Sequence, residues 1–402
     1  MLKIGCSGRS PSLEAPPTMN IKFLRNLDRW LGRPLLMVLA PVMWLVSPAP
    51  SGNPAETGRC TFLKLKGGGS LIVAMPALLG IRQKFPRMRF VLVCTPETQV
   101  YAELIGIFDE YSLIDDASPL SLFTSALKAL AGCFRADIAI DLEPNSLLAA
   151  VFTVLTAARC RLGLVKPEES WRKAAYTQAL PFNVLEPIYN YYDQIAGALG
   201  ASPAPVLESR AQFMKQIKNV AAETEDNPHY VGLAPFTSDF ARERMMPDEI
   251  WIDLLREADI KNARFMIFGS SKNQKAGDIF SAKLKQKFPA ADVANACGRY
   301  NLAESASEIA RVDAFWAVDS GLLHIARLIG VPCRSFWGPT DPRQRLRPIL
   351  GLQEITIYRG FACSPCLHLP GGPLCGGNNL CMKTMADPLP NLVPPWARKL
   401  SR

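Results

Sequence analysis

This 402-residue sequence holds only 3 histidines, so any imidazole chemistry falls on very few positions, and His324 stands out. It has no apolar run near the roughly 20 residues that a bilayer-spanning helix needs. Its strongest candidate, Leu35 to Ser47, is 13 residues long and contains Pro41, which predicts a shallow or re-entrant anchor and excludes a span. No secretory signal opens the chain; its first 18 residues are polar and proline-rich. The cytosol is therefore the expected compartment, which argues against disulfides. There is no zinc-finger pair, no RNA-binding signature and no dense Lys/Arg block. The net charge of +9 then points to anionic lipid or phosphorylated small molecules, with no nucleic acid as partner.

Nearly half of the residues are apolar and a fifth are charged, a globular composition long enough for two domains and extensions. Residues 1–58 read as an appendage. The first 18 look disordered. In Lys22–Arg33 one helical stripe carries Lys22, Arg25, Arg29 and Arg33, and another carries Phe23, Leu27, Trp30 and Leu31. A basic amphipathic helix with a tryptophan suits a membrane interface; the competing reading is a helix packed on the protein's own body. Residues 48–59 read as a linker.

Apolar strands then alternate with helical periodicity, which predicts α/β architecture with parallel sheets. Thr61–Leu65, Phe90–Cys94, Glu110–Ile114 and Ile138–Leu142 read as strands of a domain over 59–205. After a polar stretch around 203–228, Tyr230–Ala234, Arg264–Gly269, Phe315–Val318 and Pro332–Gly338 read as strands of a second domain over 206–385, with 386–402 a tail. Two Rossmann-like halves should hold a ligand at the carboxyl ends of their strands, in the cleft between them.

The sharpest local signal is Phe315 to His324, where a buried strand ends in Asp319-Ser320-Gly321 and a helix starts at once. Free amides and a positive dipole there suit a diphosphate, although Asp319 and Ser320 could simply cap the helix. Other strand-end loops carry Gly67, Gly68, Gly69 and Ser70; Thr237; Gly269, Ser270 and Lys272; and Gly338 with Thr340. Arg242 and Arg244 lie close by with positive charge. Cys363, Cys366, Cys375 and Cys381 fall within one Pro/Gly-rich loop with His368. Four thiolates could hold structural zinc, or the thiols could pack the loop unligated.

Met75-Pro76-Ala77-Leu78, Arg161-Leu162-Gly163, Asp319-Ser320-Gly321-Leu322-Leu323-His324 and Phe336-Trp337-Gly338-Pro339-Thr340-Asp341 together resemble glycosyltransferase family 9, the lipopolysaccharide heptosyltransferases and their relatives. The resemblance runs from about residue 60 to about 385. It implies a glycosyltransferase B-type fold and an inverting transferase that requires no cofactor or divalent metal. A nucleotide-sugar, usually ADP-heptose, would bind the second half. A lipid A–core or other surface glycan would bind the first, at the cytoplasmic face of the bacterial inner membrane. Asp319, Ser320, Gly321 and His324 would surround the donor diphosphate. Arg244 takes the place of a phosphate-contacting Lys, and Asn273 that of a Glu contacting the donor sugar. The family's Gly-Asp pair in the first loop, whose Asp is the expected general base, is Gly69-Ser70 here. A serine hydroxyl accepts no proton at neutral pH as a carboxylate does. Either another carboxylate, Asp141 or Glu143, serves, or the protein binds a nucleotide-sugar as an impaired enzyme or scaffold. Asp141 and Glu143 may equally be read as capping or surface acids.

Overall fold

The computed structural model describes residues 21–48, 57–217, 230–237, 241–258, 263–367, 373 and 375–387. The expected disorder of residues 1–18, most of the linker, His368 and nearly all of the tail lie outside these residues.

The first half contains α1 (Ile21–Val46), β1 (Thr57–Leu63), α2 (Gly69–Lys84), β2 (Arg87–Cys94), α3 (Pro96–Ile105), β3 (Glu110–Leu113), α4 (Pro119–Cys133), β4 (Ile138–Asp141), α5 (Leu147–Leu155), β5 (Cys160–Val165), β6 (Gln178–Pro181) and α6 (Ile188–Ala198). Next come α7 (Val206–Met214), β7 (Tyr230–Ala234), α8 (Asp248–Glu257), β8 (Arg264–Ile267), α9 (Gln274–Lys287), β9 (Asp292–Asn295), α10 (Leu302–Ile309) and β10 (Ala314–Val318). The chain closes with α11 (Gly321–Ile329), β11 (Cys333–Trp337), α12 (Pro342–Arg345), β12 (Glu354–Tyr358) and α13 (Leu380–Lys383).

Two six-stranded sheets result, in the orders β3-β2-β1-β4-β5-β6 and β12-β11-β10-β7-β8-β9, with every strand pair parallel. Both follow the doubly wound order. Chain direction across each sheet reverses between its first and fourth strands, where ligands of such folds bind. In the first sheet that point carries the Gly67–Ser70 loop and the end of β4. In the second it carries Pro235–Thr237 and Asp319–Gly321. Strand interiors are apolar on both faces, as sheets covered by helices require: Phe62 and Phe90 on one face and Leu63 and Val91 on the other in the first, Phe315 on one face and Leu233 and Phe336 on the other in the second.

Four expectations need correction. Gly69 and Ser70 are helical rather than loop, because α2 starts directly after Gly68. Thr57 and Gly58, expected in the linker, already pair with β2. The polar stretch after residue 203 contains α7. Finally, α1 is one helix through Pro34 and Pro41, not an amphipathic helix followed by a broken segment. Both prolines sit on its exposed side, where water can satisfy the carbonyls that lose a donor.

Packing explains why α1 holds together. Asp28, Gly32, Leu36 and Ala40 recur every fourth residue and form one face. Asp28 accepts from Ser146 Oγ at 2.7 Å, Leu147 N at 3.0 Å and Leu148 N at 2.9 Å, capping α5 from another helix. Gly32 gives close approach to Leu147, and Leu36 and Ala40 are buried with Val151, Val154 and Tyr176. The opposite face is apolar and open, with Trp30 77% and Leu45 90% exposed. One face of the helix is therefore docked on the protein's own body, and the other is left uncovered.

Candidate active site

The site is built where β10 turns into α11. Ser320 has extended backbone and caps α11; its Oγ accepts from Leu323 N at 3.4 Å, and its own proton remains free to donate. The amides of Gly321 and Leu322 have no acceptor among the described residues.

The first half closes over this turn. A Cβ at Gly69 would lie 2.9 Å from Gly321 Cα, so the first residue of α2 touches the first residue of α11. Tyr101 of α3 wedges between Gly68 and Gly321, occupying the space a side chain at either would need. Glycine at 68, 69 and 321 is therefore required by close approach, a role beyond turn formation. Two helix N-termini meet here, each carrying about half a positive charge, and α2 has no side-chain cap. Like ends of two dipoles repel, and an anion between them removes the repulsion.

Cationic side chains add to that field. Arg244 Nη1 lies 3.0 Å from Asp319 Oδ2, and His324 Nε2 lies 3.8 Å from Asp319 Oδ1. Despite burial, Arg244, His324 and Arg345 hold the Asp319 carboxyl down at about 2, so it is ionised. Burial pulls His324 down to about 4, so its ring is neutral at pH 7. Arg244 Nε and His324 Nδ1 are buried without a hydrogen-bond partner among the described residues. Asp319 is thus placed as the residue that holds Arg244; as an anion it is not itself a contact for phosphate. Thr340 is buried beside it.

His324 titrates lower folded than unfolded, so the unfolded chain binds more protons between about 6.5 and 4. Stability present near neutral pH is lost as pH falls through that window. His324→Gln should remove this contribution: between pH 7 and 5 the melting temperature of wild type should drop a few degrees further than that of the variant. Equal drops would contradict it.

Other expected residues are engaged with their own neighbours. Ser270 N and Oγ both donate to Asn273 Oδ1, at 3.1 and 2.9 Å, so Asn273 caps its own turn. Thr237 Oγ1 donates to Ala241 O at 2.9 Å. Gly269 packs tightly against Cys297, Phe236 and Asn273. Gly338 gives room to Cys381 and Met382 rather than to a ligand. In the first loop Gly67 takes a positive φ of 76°, and Ser70 Oγ donates to Gly67 O at 2.7 Å.

The two candidate bases are engaged. Asp141 Oδ2 accepts from Arg172 Nη2 at 3.0 Å and Tyr176 Oη at 2.6 Å in a sealed interior. Glu143 Oε1 accepts from Lys64 Nζ at 3.1 Å and from the amides of Leu65 and Lys66, both at 2.9 Å, anchoring the chain after β1.

In the cysteine loop, Cys366 and Cys381 are buried and Cys363 and Cys375 exposed. Burial pushes Cys381 up to about 11, so it remains a thiol. Among the described residues no three His, Cys, Asp or Glu side chains are gathered to hold a metal. The segment instead braces the site: Asn379 Nδ2 donates to Glu243 O at 2.7 Å and Met245 O at 3.0 Å, fixing the short turn that presents Arg244. No sequence signal marks Asn379, whose partners lie more than a hundred residues away, or Tyr101.

Comparison with known proteins places this geometry. Residues 124–370 match the model of glycosyltransferase family 9 (heptosyltransferase). Lipooligosaccharide heptosyltransferase 2 of Haemophilus influenzae is 28% identical over 145 residues, 36% of this chain and 40% of that protein, so the match spans less than half the relative's length. The structure of an E. coli ADP-heptose lipopolysaccharide heptosyltransferase II superposes with a TM-score of 0.56 at 17% identity, covering 74% of this chain and 90% of that one. An E. coli heptosyltransferase solved with ADP gives 0.55 at 16% identity, covering 75% and 93%. Both likenesses establish the shared two-sheet fold. With more than half of its length matched by the family model, the chain belongs to glycosyltransferase family 9.

Proposed function

We propose that this protein is an inverting glycosyltransferase that moves a sugar, heptose being the first candidate, from a nucleoside diphosphate to lipopolysaccharide core or another surface glycan. The observation that carries this is the α11 turn, whose Gly321 and Leu322 amides have no acceptor among the described residues and lie beside the Arg244–Asp319 pair. The relative solved with ADP supports a nucleoside diphosphate as that anion. In the reaction the bond from the anomeric carbon to the phosphate oxygen breaks and its electron pair leaves with the diphosphate. The acceptor hydroxyl oxygen bonds to that carbon from the opposite face and gives up its proton to solvent water. Charge on the departing diphosphate would be met by Arg244 and the α11 amides, with no metal required.

The open face of α1, with its exposed tryptophans Trp30 and Trp44, would rest in the anionic interface of the inner membrane, where a lipid-linked acceptor lies. A second reading, a nucleotide-sugar-binding protein with little turnover, is favoured by one observation: Ser70 replaces the expected carboxylate while Asp141 and Glu143 are already bound.

One assay separates the two. Purified protein is mixed with ADP-, UDP- and GDP-sugars and vesicles carrying core oligosaccharide, with and without EDTA. Acceptor-dependent release of one nucleoside diphosphate, unaffected by EDTA, is the expected result. Binding without release would favour the second reading, and no binding of any of them would refute both.

A further inference from the structure

We propose that Arg345 is a second ligand for the donor diphosphate, a cation without a hydrogen-bond partner among the described residues, held ready near Asp319 and Arg244. The assignment rests on the donor site proposed above.

Three arginines alternate along Arg343, Arg345 and Arg347, and the structure gives each a different fate. Arg343 is 80% exposed and folds back on Asp341, which also caps α12 through the Arg343 amide at 2.9 Å. Arg347 crosses the cleft: Nη1 and Nη2 reach the two oxygens of Asp193 on α6 at 2.9 and 2.6 Å, and its guanidinium lies 4.8 Å from the centre of the Tyr189 ring. The segment is therefore pinned at both ends, by its own cap on one half and by a bidentate pair to the other.

Arg345 sits between these pins and turns inward. It lies within electrostatic reach of Asp319 and Arg244, and of Tyr191 and Tyr192 on α6. The residue is half-buried with its Nε inside, and its guanidinium makes no hydrogen bond among the described residues. The carboxylate it faces is already taken by Arg244 at 3.0 Å. With His324 neutral, two guanidinium groups share one carboxylate, leaving one positive charge uncompensated.

An arginine in this condition is costly to the free protein and is relieved by an anion. A planar fork suits phosphate oxygens, and rigid pinning spares the ordering cost of binding. A dianionic or trianionic diphosphate on the α11 amides would face Arg244 and Arg345 together.

The test uses the full chain and Arg345→Gln, Arg345→Lys and Arg244→Ala variants. Calorimetry is run with inorganic pyrophosphate, with ADP, UDP and GDP, and with the matching nucleosides; melting is recorded without ligand. For Arg345→Gln we expect ten- to hundredfold weaker binding of pyrophosphate and of the preferred nucleoside diphosphate, unchanged nucleoside binding, and an equal or higher apo melting temperature. Arg345→Lys should recover part of the loss. Wild-type affinity in Arg345→Gln would overturn the assignment, while the donor site itself stands if Arg244→Ala still loses binding. A variant melting several degrees lower marks Arg345 as structural and also overturns it. If wild type binds neither pyrophosphate nor any of the three diphosphates, the donor site and this assignment fall together.

Discussion

Arg244→Ala should weaken nucleoside diphosphate binding by about a hundredfold or more. Truncating one member of a desolvated, hydrogen-bonded charge pair costs roughly 2–5 kcal/mol, and each 1.4 kcal/mol is a factor of ten. Here the loss has two parts. The guanidinium that would meet the phosphate disappears, and Asp319, ionised and 4% exposed, is left with less to hold it and closer in effect to an incoming anion. Arg244→Lys keeps the charge but not the fork, so an intermediate loss is expected. Calorimetric titration reads both. Affinity unchanged in Arg244→Ala would mean that the diphosphate does not bind beside Asp319.

The second large effect is on stability. Asp141→Ala should destabilise the first half by about 3–5 kcal/mol, the cost of leaving a buried charge without its partner. Arg172 and Asp141 have side chains 0% and 1% exposed, and Arg172 also donates to Pro144 O at 2.7 Å and Glu143 O at 2.8 Å. This knot ties the end of β4 to the turn at Pro167–Ala175 and cannot rearrange around a missing carboxylate. Thermal melting should fall by roughly ten degrees. A folded variant melting like wild type but inactive would instead make Asp141 the missing base.

How much of this could be read from sequence depends on how far apart the partners lie. The strand–turn–helix at Phe315–His324 was legible because the apolar strand, the Ser320 cap and Gly321 fall within ten residues. The alternation that makes two parallel sheets was legible for the same reason: each strand is buried on both faces and reads as a short apolar run. Ser270-x-x-Asn273 was also a readable cap, yet it was taken as a sugar contact because the family places an acid there. Asp141 was misread because its partner, Arg172, is 31 residues away on a different element. Pro41 was read as a helix breaker, because sequence does not show that the carbonyl it frees faces water. The period-four face of α1, Asp28-Gly32-Leu36-Ala40, was present but hidden beneath its more conspicuous basic stripe. Nothing in Arg343, Arg345 and Arg347 tells which one turns inward; α6, on the opposite half, decides that.

A co-crystal structure with a saturating nucleoside diphosphate tests the central claim most directly. The account predicts phosphate oxygens within hydrogen-bond distance of the Gly321 and Leu322 amides and of the Arg244 guanidinium. Diphosphate density anywhere else, or Gly321 and Leu322 amides that make no contact with the bound ligand, would contradict it.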